Sequence, residues 1–115
     1  MSIPLALTAP LVGLEHLVFF ELTPLDGVPG CYVLRSTEDP GVRLYVLDTA
    51  VRLPGYRAAL TVAGEADVYV IVSTHYGAPT VNLIAPIVVD LPAGVAGQII
   101  VDDPDLSRVS VPLAA

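Results

Sequence analysis

Short segments rich in β-branched and aromatic residues recur along this chain at intervals too brief for helices, and turn-forming residues separate nearly all of them. The segments are Leu17 to Leu22, Cys31 to Leu34, Arg43 to Leu47, Val68 to Thr74, Thr80 to Ile84, Ile87 to Asp90, Gln98 to Val101 and Arg108 to Val111. Between them stand Asp26-Gly27-Val28-Pro29-Gly30, Glu38-Asp39-Pro40-Gly41, Leu53-Pro54-Gly55, Pro92-Ala93-Gly94 and Asp102-Asp103-Pro104-Asp105. In such turns Pro presets φ, Gly supplies positive φ and Asp bonds its own backbone. About eight strands at this spacing predict an all-β fold, a small antiparallel barrel or sandwich with little helix. Ile3 to Leu7 adds a ninth strand, expected at an edge where Pro4 is tolerated. Only Tyr56 to Leu60 has helical composition, barely more than one turn of it.

A chain of 115 residues fits one domain, 1–115, with a single core. Its hydrophobic fraction of 54% is high, yet a spanning helix needs roughly 18 uninterrupted apolar residues. The longest apolar stretch, Ile3 to Leu14, is broken by Pro4, Thr8, Pro10 and Gly13. No Lys or Arg precedes Arg35, so a secretory signal would lack its basic start, and a cytoplasmic location is expected. Several strands, VYVIV from Val68 to Val72 above all, are apolar at successive positions, which implies burial on both faces or a patch left for a partner. The run HLVFFE, His16 to Glu21, reads as a core strand bracketed by Glu15 and Glu21.

Twelve acidic residues stand against five Arg and no Lys, a net charge of −7. That balance repels phosphate backbones, so direct nucleic-acid binding is not expected and a basic protein partner is favoured. The single cysteine, Cys31, excludes an internal disulfide and reads as a small core residue. His16 and His75 sit in no motif that pairs a nucleophile with an oriented base. The spacing of His and Cys matches no zinc site, and Asp102, Asp103 and Asp105 lack the Gly and closing Glu of a calcium loop. No cofactor, metal or enzymatic activity is expected.

In order along the chain, LVGLEHLVFFEL (Leu11 to Leu22), YVLRSTEDPGVRLYVLD (Tyr32 to Asp48), VNLIAPIVVD (Val81 to Asp90) and GQIIVDD (Gly97 to Asp103) form a pattern. It resembles the family of the flagellar assembly factor FliW. The most specific element is Asn82-Leu83 followed by Ala85-Pro86-Ile87-Val88, with Gly97-Gln98 after it, and SRVSVPL from Ser107 resembles the family's closing strand. The resemblance implies a barrel-like, non-catalytic cytoplasmic protein that binds flagellin and also CsrA, a translational regulator whose repression it relieves by partner switching. Ile84, Leu106 and the short segment between Asp48 and Asp67 depart from the family's usual pattern. The competing reading is a β-barrel that binds an apolar ligand or serves as a subunit of a larger complex.

Partner-binding candidates are Asp90, Asp102, Asp103 and Asp105, carboxylates at strand ends and turns that can steer a basic partner. Asn82 and Gln98 are candidates of a different kind. An amide among apolar neighbours is suited to tying down backbone, which competes with partner contact.

Overall fold

The computed structural model describes residues 2–52, 67–75, 78–100 and 108–110. It is nearly all β: β1 (Ile3–Ala9), β2 (Phe19–Pro24), β3 (Cys31–Ser36), β4 (Arg43–Asp48), a single-turn helix α1 (Thr49–Arg52), β5 (Asp67–His75), β6 (Ala78–Asp90), β7 (Val95–Gln98) and β8 (Arg108–Ser110). The strands lie in the order β5-β4-β3-β2-β1-β7-β6-β8, and β5 also pairs with β6. That extra pairing closes seven strands into a barrel, with β8 added to the outer half of β6 through Thr80↔Ser110 and Asn82↔Arg108.

The expected strands are present, with four informative differences. The first strand is not at an edge, because β2 pairs with it on one side and β7 on the other. Pro4 is accommodated because pairing with β7 begins only at Ala6, so no ladder bond is asked of its missing N–H. The β1–β7 pair is parallel, the one departure from antiparallel order among the described residues. The two strands expected around Pro86 are one strand, β6, interrupted by a bulge. The strand expected at Gln98 to Val101 lies instead at Val95–Gln98. The Tyr56 to Leu60 helix falls outside the described residues.

Alternation sorts the side chains into two clusters. Inside the barrel lie Leu5, Leu11, Leu17, Phe20, Leu22, Leu34, Val46, Tyr69, Ile87, Val89 and Ala96. Burying each of the larger side chains contributes about 1.5–3 kcal/mol. Successive residues of β5 explain the unbroken apolar run VYVIV: Tyr69 and Ile71 pack inward, while Val68, Val70 and Val72 join Cys31, Leu47 and Val81 in a second cluster. Leu25 and Val28 of the β2–β3 connection pack on that second cluster. Burial on both faces is therefore the reading the fold selects, and Cys31 is a buried member of it. In β2, Phe20 is buried, whereas Phe19 points outward and is exposed.

The bulge in β6 organises one end of the barrel. Tyr69 pairs with Ile87 and Ile71 with Asn82, so a single residue of β5 faces residues 83–86 of β6. A proline inside a closed sheet requires such an interruption, since it cannot donate to the ladder. The carbonyls released there find other donors: the Gln98 side-chain amide donates to Ala85 O (3.1 Å) and the Ile99 N–H to Pro86 O (3.1 Å). Gln98 Oε1 also accepts the Val12 N–H (2.7 Å), fastening the β1–β2 connection to the same point.

Candidate functional site: an outer groove along β7

The parallel joint between β1 and β7 shapes the surface. Ala6 pairs with Val95 and Leu7 with Ala96, then Ala9 with Gly97, so Thr8 is an extra residue in β1. Its hydroxyl donates to Ala96 O (3.3 Å), taking up a carbonyl at the irregularity. Backbones approach closely here. A Cβ added to Gly97 would lie 3.1 Å from Ala9 Cβ and 3.3 Å from Ala9 N. The missing side chain leaves an open groove of roughly 240 Å³ on the outer face, walled by Thr8, Val88, Val95 and Ile99, with Asp90 at one end.

Asp90 is placed by the β6–β7 turn, Leu91-Pro92-Ala93-Gly94. Its Oδ1 accepts the Ala93 N–H (3.2 Å), and Gly94, at φ 69°, turns the chain back while its N–H donates to Asp90 O (2.9 Å). Residues beyond this glycine enter β7 directly. At the other end of the groove, Ile99, Ile100 and Val12 are exposed, Ile100 at 66% and Val12 at 71%. A second open hollow of about 470 Å³ crosses β1 and β2 beside Pro4, Ala6, Phe19 and Thr37.

The other candidate residues are dispersed. Asn82, half-buried, occupies the last paired position before the bulge. Gln98 spends both ends of its amide inside the molecule. Asp102, Asp103 and Asp105 lie outside the described residues. Among the described residues no group of three or more His, Cys, Asp and Glu side chains is placed to hold a metal ion. Nor is any described helix long and apolar enough to cross a membrane.

Two carboxylates away from the groove are perturbed in opposite directions. The Phe19 and Val18 N–H groups donate to Glu38 Oε1 (2.8 and 2.6 Å) and hold its pKa below the ordinary 4.5. Partial burial raises Asp48 above its ordinary 3.8, opposed by the Ala50 N–H donating to Oδ1 (3.0 Å) and reinforced by Asp67. Tyr69, across the ladder from Asp48, is raised strongly, first by burial and then by the charges of Asp48 and other neighbours. It meets Tyr32 edge-on at 5.4 Å. These groups belong to the barrel's construction.

Sequence reasoning found Asp90 but missed Thr8, Val88 and Gly97. The signal was the small-residue pair Ala96-Gly97 within an apolar strand, which marks close approach of another backbone. Nothing local says that the backbone is that of β1.

A closed seven-stranded barrel, filled inside by its own side chains and carrying open grooves on its outer face among the described residues, defines a small β-barrel protein with an external accommodating surface. Residues 2–111 match the sequence profile of the FliW protein family, and the chain belongs to that family. A crystal structure of the flagellar assembly factor FliW superposes with a TM-score of 0.78 at 20% identity, covering 95% of this chain and 86% of that one. At that identity the likeness is one of fold. The chain's sequence matches no curated protein.

Proposed function

We propose that this chain is a flagellar assembly factor that works by binding, without catalysis, in the cytoplasm: it binds flagellin, and it antagonises CsrA by partner switching. The observation that carries the reading is family membership over residues 2–111, with the most specific residues, Asn82, Ala85-Pro86-Ile87 and Gly97-Gln98, gathered around one bulge. Charge supports it. A net of −7 suits a protein that docks beside a basic RNA-binding surface and repels the RNA. The interior offers little to the competing reading of an apolar-ligand barrel, because Phe20, Leu22, Leu34 and Ile87 fill it with almost no exposure.

Purified protein is tested against flagellin and CsrA separately, then together. Each partner should be retained, and added flagellin should release CsrA and restore its RNA binding. Retention of neither partner would overturn the reading.

A further inference from the structure

We propose that the groove along β7 receives a cationic amphipathic segment of a protein partner, with a long basic side chain lying over Gly97 and ending at Asp90. Apolar residues of the same segment cover Ile99, Ile100 and Val12. The proposal rests on the partner-binding reading above and adds where and by what chemistry a partner docks.

The groove itself specifies this occupant. Its walls are aliphatic or small, and among the described residues Asp90 is its one charged lining residue. Among the described residues Asp90 stands across the ladder from Val95, which is uncharged. One carboxylate oxygen accepts the Ala93 N–H, which fixes the side chain. An apolar trough closed by a carboxylate suits Lys or Arg, whose methylene stems pack on apolar surface while the charged head reaches out.

Length gives a second constraint. From Val95, beside Asp90, to Ile99 is four residues, about 13 Å at strand spacing. Two turns of an α-helix cover about 11 Å, so one helical face can present a basic residue to Asp90 and an apolar one to Ile99. Ile100 and Val12 add exposed apolar side chains near that end, Val12 being held there by its N–H bond to Gln98, and exposed apolar side chains gathered in this way suit an apolar partner face. The chain then continues into Asp102, Asp103 and Asp105, which adds negative charge to the sequence beyond Ile100. An acidic occupant would meet like charge at Asp90.

The probe is a 14-residue Leu/Lys amphipathic peptide, about two helical repeats of the required length, set against a Leu/Glu peptide of the same pattern. Amide shifts of ¹⁵N-labelled protein are followed during titration. The Leu/Lys peptide should move Val88, Asp90, Gly97 and Ile99 saturably, and the Leu/Glu peptide should not. Asp90→Asn keeps the acceptor for Ala93 and removes the charge, and should weaken binding by about tenfold. Asp26→Asn, a charge-matched change at an exposed turn, should leave binding intact. Shifts scattered over the acidic surface, or equal effects of the two variants, would overturn the proposal. Flagellin and CsrA are then tested on the same variants. Weaker capture of either by Asp90→Asn supports the groove as its site, and undiminished capture of both overturns it while leaving the proposed function standing. Should the wild type capture neither, the proposed function fails and the peptide shifts alone decide the groove.

Discussion

At the scale of single residues, the two perturbed carboxylates give acid stability opposite signs. Glu38 has a lowered folded pKa, so its stabilising contribution is present above 4.5 and is lost as pH falls through the folded value. Asp48 is raised, so its neutral form is favoured in the folded state, and stability is lost as pH rises above 3.8 through the raised value. Asp48→Asn retains the acceptor for the Ala50 N–H and discards the charge that burial and Asp67 oppose. The variant should melt higher than wild type at pH 7, by about 0.5 kcal/mol or less because the side chain is partly solvated, and the gap should close below pH 3.8. A gap that stays constant with pH would reject this account. Neither shift was legible in the sequence, since Glu38 is lowered by N–H groups of Val18 and Phe19 far along the chain and Asp48 is raised by burial that only the fold creates. The buried cysteine was legible, because Gly30-Cys31-Tyr32-Val33 reads as the entry to a strand and is one.

At the scale of elements, the signature phrase TVNLIAPIVVD is a strand that must carry a proline and does so by bulging. Gln98 makes the bulge affordable by serving Ala85 and Val12 at once. Gln98→Ala should cost about 1–3 kcal/mol, since it leaves a carbonyl at the bulge without its donor. Urea denaturation would show a lower midpoint with unchanged slope, and an unchanged midpoint would dismiss the bulge as the reason for this residue. The proline break was legible from Pro86 alone. The position of β7 was not, because β-branched Ile99 and Ile100 draw a propensity reading toward themselves, whereas pairing with β1 and β6 selects Val95–Gln98. Of the candidate site, Asp90 could be found from its turn, but the groove needs β1 and could not.

At the scale of the whole molecule, charge and closure dominate. Twelve acidic residues against five Arg repel one another in the compact state, and screening relieves this. Thermal midpoints should therefore rise as NaCl goes from about 10 mM toward about 150 mM, where the Debye length shrinks from about 30 Å to about 8 Å. A flat or falling midpoint would show that the acidic groups are already balanced locally. The all-β class was visible in the cadence of strands and turns, but closure was not. It depends on β1 meeting β7, a pairing of residues far apart in sequence that no local pattern encodes, whereas β5 and β6 meet as a hairpin ending at His75↔Ala78.

The parallel joint also sets an order in time. Ala6 leaves a ribosome long before Val95, its partner in the sheet. Until β7 emerges, β1 has a bare flank and the barrel stays an open ribbon with two unsatisfied edges. Contacts so distant along the chain slow folding and prolong that exposure. For this protein, the sheet cannot shut until β7 has been made, and the interval before it is the one in which a chaperone or a premature partner has its opportunity.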